Sequence, residues 1–279
     1  MKVLVTGARG RVGRRLVPYL KQKGIDVRTT DVPGIYPEVS VDVEVDLVDR
    51  EACFNLTKDC DAVVHMGNYS NPYPKNDKAW PQAFTNIRVN ANVFEASHEN
   101  NVSKIIFFSS IWVMLGDSFK FYQSTPSSWE TNKLPFRPNK HATPGTPYGI
   151  AKYVSEQTLE GLVRMNPELS AISFRFPFLA PPGCLNKLPN FTNDRDRDEL
   201  FSYLSFDDLF KLLSLALKKM KPGYSVYFPA SRKNKKGKDP EDLVREFFPN
   251  IPRRNEGEQL TSIIDISSLE TDFDWVPQD

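Results

Sequence analysis

Short apolar runs alternate with segments of helical periodicity, and this alternation limits the possible fold more than any other feature of the sequence. The apolar runs predict the strands Lys2–Val5, Asp26–Thr30, Val41–Val45, Ala62–His65, Lys104–Ser109, Ser170–Phe174 and Ser225–Phe228. The helical segments predict the helices Val12–Lys23, Trp80–Asn100, Tyr148–Met165, Phe206–Met220 and Pro240–Phe247, the last capped by Asp239. Apolar strands joined through helices form a parallel sheet that is covered on both faces. The sequence therefore predicts an α/β protein with a doubly wound parallel sheet.

The pattern changes after Pro177. The segment Pro177–Arg197 is rich in proline and poor in apolar runs, so it predicts a loop-rich lobe beyond the core. We expect residues 1–176 to form the core and residues 177–279 to form a small lobe that is interleaved with late core elements. The basic run Arg232–Lys238 is interpreted as a solvated loop.

The 36 basic residues nearly balance the 35 acidic ones, so the chain has no strong field to attract nucleic acid or an anionic membrane. Its expected partners are small molecules. The three cysteines, Cys53, Cys60 and Cys184, are odd in number and lack metal-ligand spacing. This favours three buried thiols in a reducing compartment and no metal centre. With no N-terminal signal segment and no apolar run of membrane-spanning length, the cytoplasm is the expected location.

A glycine-rich motif, Thr6-Gly-Ala-Arg-Gly-Arg-Val-Gly13, lies between the first predicted strand and the first predicted helix. In this context Gly7 permits a tight turn, Gly10 lets the backbone approach a pyrophosphate, and Gly13 allows the helix to pack on the strand. The N–H groups at the start of a helix bind phosphate. The motif predicts a dinucleotide site, and a tight turn that binds nothing is the alternative.

Asp31 follows the second predicted strand. An acidic side chain at this place accepts hydrogen bonds from the adenosine ribose hydroxyls and repels a 2′-phosphate, which favours NAD over NADP. A turn aspartate before Val-Pro-Gly is the alternative interpretation, and Arg9 and Arg11 leave room for NADP.

Tyr148 and Lys152 are four positions apart, which places both side chains on one face of a predicted helix. A tyrosine titrates near pH ~10, and an adjacent ammonium favours the phenolate, so Lys152 would turn Tyr148 into an acid–base group. Ser109 and Ser110 end the fifth predicted strand, where a hydroxyl can hold a substrate oxygen beside the tyrosine. A surface helix pair and simple strand termination are the alternatives.

Together these residues resemble the extended short-chain dehydrogenase/reductases of the NAD-dependent epimerase/dehydratase group, which have a Rossmann-type sheet. The resemblance runs through most of the chain and rests on Thr6-Gly-x-x-Gly-x-x-Gly13, Asp31, Asp46-Leu47, Asp61-Ala-Val-Val-His65, Asn86-Ile with Asn92-Val-Phe-Glu-Ala96, Ser109-Ser110, Tyr148-Gly-x-Ala-Lys152 and Arg175.

The resemblance implies that Ser110, Tyr148 and Lys152 are catalytic, that Asp46 and Leu47 border the adenine, and that Asn86 belongs to the water and backbone network of the active site. Lys152 should also bind the nicotinamide ribose. The expected cofactor-binding residues are Gly7, Arg9, Gly10, Arg11, Val12, Gly13, Asp31, Asp46, Leu47, Met66, Gly67, Asn86, Tyr148 and Lys152. The expected substrate-binding residues are Ser110, Ile111, Trp112, Tyr148 and Pro177. The resemblance further implies a homodimer formed through the helices Trp80–Asn100 and Tyr148–Met165.

Within this group the chain is similar to the uronate and sugar dehydrogenase branch, on the basis of its length, Tyr203-Leu-Ser-Phe-Asp-Asp-Leu209 and Phe273-Asp-Trp-Val-Pro277. It departs from that branch at Ile111-Trp112, where uronate dehydrogenases usually have Asn-His. Arg195 and Arg197 lie near, but not in register with, the arginine that binds carboxylate in those enzymes. Arg175, Arg195 and Arg197 could clamp a carboxylate, although exposed charge is the alternative for them.

The leading functional hypothesis is an NAD-dependent dehydrogenase of a small sugar, sugar acid or related hydroxy compound. The alternatives are an epimerase or reductase of a nucleotide-linked sugar and a non-catalytic regulator that senses NAD. The short segment after Pro177 argues against a nucleotide-linked substrate. The intact pair Tyr148 and Lys152 argues against a regulator.

Overall fold

A parallel sheet with helices on both faces forms the centre of the molecule. The computed structural model describes residues 1–70, 76–114, 133–137, 144–192, 194–197, 199–255 and 257–278, without the side chains of 76, 191, 194 and 195. The strands are β1 (Lys2–Thr6), β2 (Asp26–Asp31), β3 (Val43–Glu44), β4 (Ala62–His65), β5 (Lys104–Ser110), β6 (Ser170–Phe176), β7 (Phe178–Ala180), β8 (Tyr203–Ser205) and β9 (Gly223–Tyr227). The α-helices are α1 (Gly13–Gln22), α2 (Arg50–Thr57), α3 (Ala79–Glu99), α4 (Pro147–Met165), α5 (Leu188–Phe191), α6 (Phe206–Lys219), α7 (Pro240–Phe247) and α8 (Ser267–Phe273).

Seven of these strands form one sheet in the order β3-β2-β1-β4-β5-β6-β9. All of its pairs are parallel. The order reverses between β1 and β4, where Thr6 is the register partner of His65. In an open α/β sheet this reversal leaves a crevice at the carboxyl ends of the strands, and ligands bind there. The predicted fold class is confirmed.

Alternate residues of each central strand enter different cores, because side chains of a strand point to opposite faces. Val3 and Val5 belong to the core covered by α1 and α6, whereas Leu4 belongs to the core covered by α2, α3 and α4. Both faces of the sheet are therefore buried. This explains why the strands appear in the sequence as continuous apolar runs rather than as alternating patterns.

The predicted elements differ from the observed ones mainly at the edge of the sheet. The predicted strand Val41–Val45 is reduced to the exposed pair Val43–Glu44, because β3 has a neighbour only at β2. Helix α2 was not predicted, since it is short and buries only one side. Its first turn is capped by Asp49, which accepts a hydrogen bond from Ala52 N at 3.1 Å. Asp239 caps α7 as predicted, accepting from Glu241 N at 2.9 Å.

Beyond Pro177 the chain is more structured than its proline content suggests. Strands β7 and β8 form a separate two-stranded parallel sheet, which the sequence did not predict. Cys53 and Cys60 are buried as expected, but Cys184 is only half-buried because it lies in this small lobe.

The interpretation of the basic run Arg232–Lys238 as a solvated loop is wrong at its centre. Lys235 is 5% exposed, and its amine donates to Asp196 at 2.7 Å and to Glu199 at 3.1 Å. These two acidic partners lie about forty positions earlier in the sequence, so the pairing could not be read from the run itself. The paired lysine joins the run to the lobe.

Candidate active site

The glycine-rich turn lies at the crevice where the strand order reverses. Gly7 has φ +68°, a conformation that favours glycine. A Cβ at Gly7 would lie 2.9 Å from Met66 C, so the turn also packs tightly against the end of β4. Gly13 packs against Gly7 O and the backbone of Ala8 rather than against the strand. A Cβ at Gly13 would collide with both Gly7 O and Ala8. Three glycines thus allow the backbone to come close to a bound group.

Helix α1 begins directly after this turn, so its N-terminus lies beside the glycines. Its N-cap residue Val12 makes no side-chain capping bond, and the first turn carries no acidic residue. The helix has ten residues, and its uncapped N-terminus attracts phosphate through its N–H groups and the helix dipole. The turn and the helix start therefore fit the pyrophosphate of a dinucleotide.

Asp31 ends β2 beside this turn. Its carboxylate accepts hydrogen bonds from Arg9 N and Val32 N, both at 2.8 Å. A carboxylate has about four lone-pair sites, so both oxygens keep capacity for ribose hydroxyls. The Arg9 guanidinium is buried, donates to Val39 O at 2.7 Å and pairs with Glu44. Arg9 is therefore engaged with the chain, which weakens the NADP interpretation.

Three other residues expected to bind the cofactor lie after β3, where Asp46 and Leu47 were expected to border the adenine, and on α3, which carries Asn86. Leu47 is buried and its side chain reaches the backbone of Gly67, where a Cβ would lie 2.9 Å away. Asp46 is exposed and accepts from Val48 N at 3.0 Å. Asn86 is buried on α3 and holds the backbone of Tyr69 through two hydrogen bonds of 2.8 and 2.9 Å.

The structure brings Ser110, Tyr148 and Lys152 together at the carboxyl ends of the central strands. Thr146 caps α4, accepting from Gly149 N at 3.1 Å, and the helix begins at Pro147, so Tyr148 lies in its first turn. Ser110 lies near enough to the Tyr148 phenol to lower its pKa. The Lys152 amine lies 5.7 Å from the centroid of the Tyr148 ring.

In the protein without cofactor, Lys152 does not lower the pKa of Tyr148 as expected. Burial raises the pKa of Tyr148 to about 12. Ser110 lowers this pKa, but its effect is smaller than that of burial. Burial lowers the pKa of Lys152 to about 7. The negative charge of Glu156 raises this pKa, but its effect is smaller than that of burial. The amine donates to Phe108 O at 2.7 Å and to Asn68 Oδ1 at 2.5 Å instead of approaching the phenol oxygen directly.

Ser109 and Ser110 have different surroundings, because successive residues of a strand point to opposite faces. Ser109 Oγ donates to Glu156 Oε1 at 2.5 Å, away from Tyr148. Glu156 also pairs with Arg175, whose guanidinium donates to both carboxylate oxygens at 3.0 and 2.7 Å. Both partners are buried. Arg175 is therefore a structural cation and not a clamp for a substrate carboxylate.

The expected substrate-binding residues beyond Ser110 and Tyr148 are mostly buried. Ile111 is 1% exposed and Trp112 is 5% exposed, and both belong to the larger core. Pro177 is also buried, at the junction of β6 and β7. Helix α4 approaches this segment closely, since a Cβ at Gly149 would lie 2.5 Å from Trp112 O.

Of the two arginines of the lobe that were proposed as carboxylate ligands, only Arg197 has a described side chain. The Arg197 guanidinium lies 5.7 Å from the centroid of Phe248. The side chain of Arg195 lies outside the described residues. Arg11, from the glycine-rich turn, lies 6.0 Å from the centroid of Phe178 and so links the turn to the lobe.

Sequence reasoning missed a group of polar residues behind Lys152, of which His65 and Asn90 are buried and Asn68 is half-buried. Asn68, Asn90 and His65 are linked by hydrogen bonds of 2.6 and 2.7 Å, and Asn68 contacts the lysine. A usable signal was present, because Asn90 lies on the buried face of α3 and His65 ends a fully buried strand. Polar residues at such positions require partners.

The sheet, the glycine-rich turn and the Ser110–Tyr148–Lys152 group define an NAD-dependent enzyme of the extended short-chain dehydrogenase/reductase type. The chain belongs to the NAD dependent epimerase/dehydratase family, whose model matches residues 3–224. The recognition made from the sequence motifs is thereby confirmed.

Similar proteins include dehydrogenases and epimerases. Uronate dehydrogenase of Pseudomonas syringae pv. tomato is 26% identical over 233 residues, which cover 82% of this chain and 74% of the relative. A variant of uronate dehydrogenase from Agrobacterium tumefaciens, solved with NAD, has a TM-score of 0.67 at 22% identity, covering 100% of this chain and 84% of that one. UDP-glucose 4-epimerase of Thermotoga maritima, solved with UDP-glucose, has a TM-score of 0.69 at 20% identity, with coverages of 100% and 94%. Both structural likenesses show the fold.

Across the described ranges, every helix is either too short or too polar to cross a bilayer.

Proposed function

We propose that this enzyme is a dehydrogenase that oxidises a hydroxyl group of a compact sugar acid, free sugar or related hydroxy compound. The observation that carries the proposal is the convergence of Ser110, Tyr148 and Lys152 at the crevice beside the glycine-rich turn. When bound, NAD supplies the nicotinamide ring that accepts a hydride from the substrate carbon. The cofactor would be held by the glycine-rich turn, by Asp31 at the ribose and by Lys152.

In this proposal Ser110 holds the substrate hydroxyl beside Tyr148. The phenolate of Tyr148 takes the hydroxyl proton as the carbon–hydrogen bond breaks, and the product is a carbonyl compound. Lys152 supports the phenolate through its positive charge. Two of its three N–H groups are taken by described residues, Phe108 and Asn68, and we assign the third to the nicotinamide ribose.

The size of the lobe supports a compact substrate. Residues 177–279 form the proposed substrate lobe and residues 1–176 the proposed cofactor core, with α6 and β9 returning to the core. In the lobe, β7, β8 and α5 are only three or four residues long. The name of the Pseudomonas relative favours a uronate, whereas Ile111 and Trp112, which replace its usual polar pair, are buried in the core and do not select the substrate.

A substrate panel with NAD tests the proposal, with formation of the reduced cofactor as the readout. We expect turnover of one or more uronates, free sugars or small polyols. Tyr148→Phe should lower kcat by about two to four orders of magnitude while leaving the Kd for NADH within about twofold, because the phenol transfers a proton but does not anchor the dinucleotide. Turnover of UDP-sugars alone would instead establish the epimerase or reductase alternative. NADH binding without turnover of any panel member would favour the regulator.

We also propose that the protein is a homodimer, formed through α3 and α4, and that it acts in the cytoplasm. The exposed apolar side chains of the two helices support the first proposal. The three free thiols, of which Cys53 and Cys60 are buried, support a reducing compartment.

A further inference from the structure

A chain of hydrogen bonds, buried at His65 and part-buried at Asn68, runs from the glycine-rich turn to the catalytic helix. It begins at Thr6, the last residue of β1, whose hydroxyl lies 2.7 Å from His65 Nδ1. His65 Nε2 lies 2.7 Å from Asn90 Oδ1 on α3. Asn68 Nδ2 donates to the same oxygen at 2.6 Å, and Asn68 Oδ1 accepts from the Lys152 amine at 2.5 Å.

The direction of each hydrogen bond follows from the backbone. Thr6 Oγ1 accepts from Met66 N and Gly67 N, both at 3.0 Å, so its own proton must be donated to His65 Nδ1. His65 is therefore neutral and carries its proton on Nε2, which donates to Asn90 Oδ1. Burial agrees with this assignment, since it lowers the pKa of His65 to about 3.

The same logic fixes the amide of Asn68. Asn90 presents its oxygen to Asn68, because its Nδ2 is used by Ser155 Oγ at 2.7 Å. Asn68 must then direct its NH2 group to Asn90 and its oxygen to Lys152. The opposite orientation would bring two amide oxygens together and point an NH2 group at an amine. An oxygen held in this way favours the charged form of the lysine.

We propose that Asn68 is a positioning residue for Lys152, and that the chain Thr6–His65–Asn90 orients Asn68 for this task. The inference deepens the proposed function, since it names what holds the lysine charged and in place. It also links the cofactor-binding turn to the proton-transfer group through side chains, because Thr6 lies directly before Gly7. Among the described residues, the titratable groups near Lys152 are Glu156, one turn along α4, Tyr148, and His65, whose pKa the charge of Lys152 helps to lower.

The titration of Lys152 tests the proposal without any need for turnover. Protein containing lysine labelled with carbon-13 at Cε reports the charge of each amine by NMR, and loss of a signal in Lys152→Met assigns it. The wild-type signal should titrate near pH 7, as the pKa is about 7. Asn68→Leu, of similar size but without an acceptor, should lower the midpoint by about one pH unit, a tenfold change in proton affinity. If Asn68→Leu does not fold, Asn68→Ala replaces it and should lower the midpoint by the same amount.

A matched control comes from the other end of α3. Asn100 is a half-buried amide whose Nδ2 donates to Phe54 O and Thr57 Oγ1 at 2.8 and 2.7 Å, far from the site. Asn100→Leu removes comparable hydrogen bonds and should leave the Lys152 midpoint unchanged. An unchanged midpoint in both folded Asn68 variants would overturn the proposal.

Kinetics supply the second readout wherever the panel yields a substrate. Asn68→Leu should lower kcat about tenfold with KM changed less than twofold, since the lysine acts on the phenolate and not on substrate binding. A rise in KM with kcat unchanged would also overturn the positioning role. If the panel yields no turnover, the proposed function fails, and the titration still decides the role of Asn68.

Discussion

At the residue scale, Asp31 and Arg9 decide which dinucleotide the site accepts. One oxygen of Asp31 accepts from Arg9 N of the turn and the other from Val32 N, and the Arg9 guanidinium is held by Val39 and Glu44. We expect NAD to bind more tightly than NADP. Asp31→Ala should weaken NAD binding by about 1.5–3 kcal/mol, the value of a hydrogen bond to a charged group, and weaken NADP binding less. Measured dissociation constants for both dinucleotides check this; tighter binding of NADP by the wild type would contradict it.

His65 should make the stability of the protein sensitive to acid. Its pKa is about 3 in the folded protein and ~6.5 in the unfolded chain, so unfolding takes up a proton between these values. The free energy of unfolding is thus fully retained above pH ~6.5 and falls as the pH decreases, by up to about 1.4 kcal/mol per unit.

Urea unfolding of the wild type and of His65→Gln, which has no titratable group, measures this effect. Between pH 6.5 and pH 5 the wild type should lose about 1.5 kcal/mol more than the variant. Above pH 7.5 the two proteins should differ by a constant amount. Parallel curves over the whole range would show that His65 is not neutral and buried in solution.

The site residues that could be predicted from the sequence are those whose partners lie close by in the sequence or belong to the same motif. Tyr148 and Lys152 are one helical turn apart, so their proximity follows from the period of the helix. Asn68 and Lys152 are separated by 84 positions, and nothing in the local sequence pairs them. The opposed pKa values of Tyr148 and Lys152 were also beyond prediction, because they depend on burial from all sides.

At the element scale, the start of α4 depends on a close contact with the segment that follows β5. Gly149 lets the helix approach Trp112 O, where a Cβ would lie at 2.5 Å. Gly149→Ala should destabilise the protein by about 1–3 kcal/mol, as overpacking does, and should displace Tyr148 from Ser110. Gly161→Ala is the matched control on the same helix. Nothing lies within 4 Å of a Cβ there, so it should stabilise by about 0.5–1 kcal/mol.

Thermal unfolding and turnover of the two glycine variants separate stability from positioning. We expect Gly149→Ala to lose activity at temperatures where it is still folded, and Gly161→Ala to keep wild-type activity. Equal stability in both variants would mean that the contact with Trp112 relaxes at little cost. The need for glycine at 149 could not be predicted from the motif, since it arises from an element 37 positions earlier in the chain.

Long elements buried on two sides were predicted well, and short edge elements were not. The strand Ala62–His65 was predicted with its observed bounds, because both of its faces enter a core. Strand β3 and the pair β7 and β8 have two or three residues each, so the pattern of their side chains carries little information.

At the scale of the whole molecule, α3 and α4 pack against each other and leave an apolar outer face. Trp80 and Phe84 are stacked with ring centroids 5.7 Å apart, yet they are 51% and 62% exposed. Val154 and Met165 on α4 are 39% and 71% exposed. The stacked pair is a contiguous exposed apolar patch, and such patches mark protein interfaces. A second copy of the chain, presenting the same two helices, would cover them around a two-fold axis.

The dimer is tested by the mass of the protein in solution. Sedimentation of the wild type at micromolar concentration should give twice the mass of the chain. Phe84→Arg places a charge in the stacked apolar pair and should shift the population to monomer, since an unpaired charge is not tolerated in an interface core. Val276→Arg is the matched control, because Val276 is 43% exposed but lies near the C-terminus, away from both helices. A monomeric wild type, or dissociation caused equally by both variants, would rule out an interface formed by α3 and α4.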